Sequence, residues 1–129
     1  MKISKDYPPN IDEIKKVLTP SPGAVFTYGD TLYNPSNGII DDPLMAHEEI
    51  HSLRQGKDPA GWWERYLKEP SFRLSEELRA YQEQYQVYLL EGHERNKIAM
   101  FSYQLAKDLA GPMYGNVITV LEARQKIIG

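Results

Sequence analysis

Cysteine is absent from the 129 residues, and histidine occurs only three times. Without thiols the chain can form no disulfide, and any metal it holds must be bound by nitrogen and oxygen. Structural zinc sites are usually cysteine-rich, so such a donor set suits a catalytic ion better. A concentrated basic patch is also missing. The net charge is -3 and the Lys/Arg residues form no cluster, which removes the electrostatic footprint of a nucleic-acid partner or an anionic membrane surface. Long apolar runs are missing too. The opening Met1-Lys2-Ile3-Ser4-Lys5-Asp6 lacks the apolar stretch of a secretory signal, and no segment approaches a membrane span, so the expected location is the cytoplasm. With 41% hydrophobic and 26% charged residues, the expectation is one domain over residues 1–129 with a modest core.

Two of the three histidines stand in His47-Glu48-Glu49-Ile50-His51, a His-Glu-x-x-His run. On a helix a spacing of four brings both imidazoles to one face, about one turn apart, so both can reach a single ion. A divalent zinc fits such a pair. Glu48 sits roughly 100° around the helix from His47, beside the ion and free to hold a water against it, which is the geometry of metal-assisted hydrolysis.

Turn and cap signals place the elements. Asn10 with Glu13 reads as a capping pair for a short helix carrying Ile11, Ile14, Val17 and Leu18, stopped by Pro20 and Pro22. Ala24 to Tyr28 and Thr31 to Tyr33 read as two strands joined by a tight turn at Gly29-Asp30. Asp42-Pro43 looks like an N-cap with proline at the first helical position, and the motif helix runs from there to about Gln55, with Gly56 as its stop. Trp62, Trp63, Tyr66 and Leu67 fall on a short helix or turn closed by Pro70. Longer helices follow over Phe72 to Leu90 and Arg95 to Leu109, and Thr119 with Glu122 opens a last one to Ile128. The fold class is α+β: mostly helical, with a small sheet or hairpin before the motif helix.

Helical wheels sort the candidate ligands. Relative to His47, Leu44 lies at about 60°, Ile50 at about -60° and His51 at about 40°, so both histidines face inward. Glu48, at about 100°, lies at the margin of the apolar arc where a half-covered general base would sit, and Glu49, at about 200°, is solvated. Two histidines hold zinc weakly, so a third ligand is needed, and the nearest carboxylates on another helix are Glu76 and Glu77. Glu77 lies roughly 70° from the middle of the arc formed by Leu74, Leu78, Tyr81 and Tyr85, whereas Glu76 lies nearly opposite. Glu77 is the preferred third ligand and Glu76 the fallback; the plain alternative for both is an exposed acidic pair at a helix start. Ala80, three residues after Glu77, leaves room for the motif helix to approach.

With these residues in place the chain resembles the zincins, and within them the gluzincins, in which two histidines of one helix and a glutamate of a later helix bind zinc. It is similar in particular to small metallopeptidase-like proteins of phages and bacteria. The residues that carry the resemblance are His47 to His51, Trp62-Trp63, Phe72-Arg73, Glu77-Leu78-Arg79-Ala80-Tyr81, and Gly111-Pro112-Met113-Tyr114-Gly115-Asn116. It implies zinc on His47, His51 and Glu77, with Glu48 as the base. One position departs from it. Thermolysin-like gluzincins carry an aspartate one turn after the ligand glutamate, steadying a zinc histidine, and here that position is Tyr81.

The expected activity is peptide-bond hydrolysis on a peptide or protein substrate, Glu48 taking the proton of a water acidified by the ion and passing it to the leaving amine. Tyr114 or Tyr28 could stabilise the oxyanion, although a packing role is the commoner fate of a tyrosine. The strand at Val25 to Tyr28 offers either an open edge for an extended peptide or an ordinary covered one. Trp62 and Trp63 line a pocket or belong to the core; His93 is a surface or capping residue, or else supports the site from outside. Two rival readings stand: a catalytically inactive zinc-containing binding or assembly module, and a zinc hydrolase acting on a cell-wall peptide or another amide.

Overall fold

Asp41, not Asp42, opens the motif helix: its carboxylate accepts from the Leu44 backbone N–H at 3.0 Å, leaving Pro43 in the first turn, where its missing N–H costs nothing. In the computed structural model, which describes all 129 residues, this helix is α2, Asp42–Gln55, ended by Gly56 with a φ of 55°. Around it the order is β1 (Lys2–Ser4), α1 (Ile11–Val17), β2 (Phe26–Tyr28), β3 (Thr31–Tyr33), then after α2 come α3 (Pro59–Lys68), α4 (Pro70–Leu90), α5 (Arg95–Ala110) and α6 (Val120–Ile128). A single 3-10 turn, Pro112–Tyr114, lies in the expected loop between α5 and α6. The fold is mostly helical α+β, as the periodicity indicates.

The sheet has three strands in the order β1-β3-β2, β3 lying parallel to β1 and antiparallel to β2. β1 is unanticipated, since three residues carry no periodicity. The β2–β3 hairpin turns on Gly29, whose φ of 63° is free of the Cβ penalty. β2 is therefore an edge strand, and its outward Thr27 carbonyl is covered. Gln55, at the end of α2, donates to the Thr27 carbonyl at 2.8 Å and accepts from the Gly29 N–H at 2.7 Å, so one side-chain amide imitates a neighbouring strand. Trp63 Nε1–H donates to the same carbonyl at 3.0 Å. At this carbonyl the edge is covered rather than open.

α2 packs most extensively on α4, where Ala80 is wholly buried. The core gathers Ile14, Phe26, Trp62, Trp63, Tyr66, Tyr81, Leu109 and Ile127, and both tryptophans belong to it while also lining a cavity. Thr119 caps α6 as anticipated, accepting from Glu122 N–H. Asn10 does not cap α1: its side chain makes no capping bond, and both its polar atoms are buried without a partner. No helix is long and apolar enough to cross a membrane.

Candidate metal centre

His47 and His51 sit one turn apart on the face of α2 that meets α4, and α4 delivers Glu77 between them. His47 Nε2 lies 3.1 Å from Glu77 Oε1, His51 Nε2 lies 3.2 Å from Glu77 Oε2, and the two imidazole Nε2 atoms are 3.2 Å apart. Ligand atoms about 2.0–2.1 Å from a tetrahedral ion stand about 3.3 Å from one another, so the donor triangle has the size an ion requires. These three residues could hold a metal ion. Glu48 completes the cluster, with Oε2 3.4 Å from His47 Nε2.

Lone pairs converge here beyond what protons can satisfy. The Gln84 carbonyl Oε1 accepts from His47 Nδ1 at 2.8 Å, which puts the neutral ring's proton on Nδ1 and turns the bare Nε2 toward Glu77. Burial works against a charge on His51, but the Glu77 carboxylate overrides it and raises the His51 pKa to about 9. The same cluster holds Glu77 far below the usual carboxylate range: burial opposes ionisation, and the His51 charge with its hydrogen bond to the carboxylate outweighs it. Burial raises Glu48, and the neighbouring histidines only partly offset this. In the metal-free protein one proton on His51 does the neutralising that a cation would do more fully.

Neighbouring side chains fix His47, Glu48 and Glu77, whereas His51 Nδ1 is buried without a partner. Tyr66 O–H donates to Glu77 Oε2 at 2.6 Å. Thr27 of β2 donates to Glu48 Oε1 at 3.1 Å. Arg73, buried on α4, donates to the carbonyls of Tyr66 at 2.7 Å and Tyr114 at 2.9 Å, capping the C-terminal end of α3 and the 3-10 turn at once. Tyr81, the position where the resemblance leads one to look for a histidine partner, instead bonds the Tyr114 hydroxyl at 2.8 Å and meets the His47 ring edge-on. Gln84, one turn further along α4, performs that task. Tyr66, Thr27 and Gln84 carry no role in the sequence reading; the available signal is a glutamine seven residues after Glu77, on the same face of α4.

Three expectations need correction. Glu48 is not half-covered: His47, Glu48, His51 and Glu77 are only 3–5% exposed, because β2 and α3 close over the margin of α2. Glu76 is neither a ligand nor solvated. It is 1% exposed, accepting from Arg54 Nε at 2.8 Å and Trp62 Nε1–H at 2.7 Å on the far side of α4, where α3 supplies a second buried interface that one wheel does not reveal. The exposed-pair alternative fails for Glu77 as well. His93 lies outside the cluster, stacked on Tyr88 and bonded to Glu91.

The four side chains line one cavity of about 40 Å³, walled by Ile14, Leu18, Phe26, Trp63, Met113 and Tyr114 among others. That is room for a few waters, compared with the ~300 Å³ or more of an open ligand pocket.

The chain matches no family model, no curated protein and no solved structure.

Proposed function

We propose that the chain is a zinc-dependent hydrolase of peptide bonds, with His47, His51 and Glu77 as ligands and Glu48 as general base. The observation that carries this reading is the position of Glu48: a carboxylate 3.4 Å from a ligand nitrogen, lining with the ligands a cavity with room for a few waters. Two imidazoles and a carboxylate suit zinc better than calcium or magnesium, which favour all-oxygen sets. A bound zinc would acidify a water and polarise an amide carbonyl.

The remaining work falls to the chain's own groups. Glu48, 3.4 Å from a ligand nitrogen, is placed to take a proton from a water beside the ligands and to give it to a leaving amine. Thr27 holds one oxygen of that carboxylate and leaves the other turned to the ligands. Tyr66 and Gln84 keep Glu77 and His47 in register.

Zinc-loaded protein is expected to cleave members of a mixed fluorogenic peptide library, and Glu48→Gln to lose at least 100-fold in kcat while retaining its zinc. Full activity in Glu48→Gln with zinc bound would remove the base from the account. The burial of all four side chains favours one second reading, a closed zinc centre that serves a binding or assembly module. Stoichiometric zinc with no cleavage of peptides, cell-wall fragments or other amides would select it.

A further inference from the structure

A site that turns over a peptide must admit one, and the ~40 Å³ cavity admits little more than water. Something has to move. The walls differ sharply in how they are fastened. α3 is tied by Trp63 to Thr27, by Trp62 to Glu76, by Tyr66 to Glu77 and by Arg73 to the Tyr66 carbonyl. The segment Tyr7 to Val25, which contains α1, has no such ties. Its backbone hydrogen bonds are all local, it takes part in no ion pair, and its one side-chain hydrogen bond to the rest of the protein is Ser21 O–H to the Met113 sulfur at 3.7 Å, a weak acceptor. Apolar contact alone seats it, through Pro8, Ile14, Leu18 and Ala24, of which Ile14 and Leu18, 2% and 8% exposed, project into the cavity wall.

Both ends of this segment are anchored in the sheet: Ser4 pairs with Tyr33, and so does Phe26 on the other edge of β3. It is a strap pinned at two adjacent strands and free between them. Two further observations mark its closed position as incompletely satisfied. Asn10, at the head of α1, has both side-chain polar atoms buried with no partner, a cost that swinging out into water relieves. Behind α1 lies a groove of about 380 Å³ against α3, lined by Val17, Tyr28, Trp63 and Leu67, so α1 is not closely packed on that side. Trp63 lines both this groove and the buried cavity. Lifting α1 would merge the two into one cleft of ligand size.

We propose that α1 with its flanking loops is a displaceable strap that masks the metal centre, and that Ile14 and Leu18 occupy the places taken by aliphatic side chains of a peptide substrate. This inference rests on the hydrolase reading for its substrate half; the strap itself does not. Ile14 and Leu18, spaced by four, present two branched aliphatic groups side by side to the chamber that contains Glu48. A substrate that displaces them must bury comparable apolar surface in their stead. An extended peptide with leucine or isoleucine flanking the scissile bond does so; an acidic or strongly basic peptide leaves the chamber's apolar wall wet.

Hydrogen exchange on the zinc-loaded full-length protein tests the strap directly. Amides of Leu18 and the last turn of α1 are expected to exchange at least 100-fold faster than those of the α2 and α4 interiors, by an opening that leaves the latter protected. Equal protection across α1, α2 and α4 would overturn the strap. A cysteine-free chain also permits a clean lock: Ser21→Cys with Met113→Cys, bridged by dibromobimane. Bridging is expected to lower peptide turnover at least 10-fold relative to the same unbridged variant, with zinc content unchanged, and undiminished turnover after bridging would overturn the strap. In the fluorogenic library, cleavage without preference for aliphatic flanking residues would overturn the substrate assignment. If no form cleaves anything, the hydrolase reading and the substrate assignment fall together, and the exchange result alone decides the strap.

Discussion

His47 Nδ1–H donates to the Gln84 carbonyl oxygen at 2.8 Å, two turns of α4 beyond Glu77, and this bond selects the ring nitrogen that faces the carboxylate. α4 thus contributes twice to the centre, with the ligand candidate and with the residue that sets its partner's tautomer. Gln84→Leu keeps the volume and the helix but removes the acceptor. Zinc affinity is expected to fall about 10- to 100-fold, read by competition with a chromogenic chelator, whereas Gln84→Glu should bind at least as tightly as wild type. Unchanged affinity in Gln84→Leu would mean that packing alone fixes the ring.

Tyr66 serves Glu77 in the same way. Its ring stacks on Trp62 with centroids 4.8 Å apart while its hydroxyl reaches Glu77 Oε2. Tyr66→Phe preserves the stack and deletes only the bond. The metal-free protein is expected to lose about 1–3 kcal/mol in urea unfolding, because a buried charged acceptor is left short of a donor, and zinc should recover part of the loss in proportion to its binding.

Glu76 provides the contrast. It is as buried as Glu77 but holds Arg54 and Trp62 on the other face of α4. Glu76→Gln retains an acceptor for the indole and loses the ion pair, of which Arg54 is partly exposed. A stability cost of about 1 kcal/mol with no change in zinc stoichiometry is expected; a zinc-deficient Glu76→Gln protein would return this residue to the ligand set.

Protonation gives the metal-free protein a definite pH response. His51 has a folded pKa of about 9 against 6.5 unperturbed, the raised sense, so the stability from its pairing with Glu77 is complete below about pH 6.5 and is lost as the pH rises through 9. The loss is on the order of 3 kcal/mol. The buried Glu48, also raised, contributes in the same direction but starts from a lower pH, above about 4.5. Urea midpoints of chelator-treated protein at pH 6.5, 7.5 and 9 should fall in sequence. Glu77→Gln, which removes the partner carboxylate, should flatten the His51 part of the slope. A wild-type midpoint independent of pH across this range would contradict the assigned proton.

Much of the centre was legible before the fold was known because helical spacing is a strong constraint. The separation of four between His47 and His51 fixes a shared face, and the apolar arc of α4 distinguishes Glu77 from Glu76 as the inward carboxylate. The same wheels failed on burial. Glu48 and Glu76 are covered by α3 and β2, whose approach depends on contacts distant in sequence, such as Trp63 to Thr27 and Trp62 to Glu76. A wheel describes one interface, and α4 has two. β1 escaped notice because three residues show no period, and the Asn10 cap misled because a good capping residue does not guarantee the capping geometry. Gln55 illustrates the limit most clearly: as the last residue of a helix it reads as solvated, yet its amide covers the edge of β2.

The central claim is that one ion is held jointly by His47, His51 and Glu77. Metal analysis of protein purified without added zinc, on wild type, His47→Ala, Glu77→Ala and Glu76→Gln, tests it most directly. The account predicts about one equivalent of zinc in wild type and in Glu76→Gln, and at least a tenfold loss in the other two. Equal zinc in all four proteins, or none in wild type after reconstitution, would contradict it.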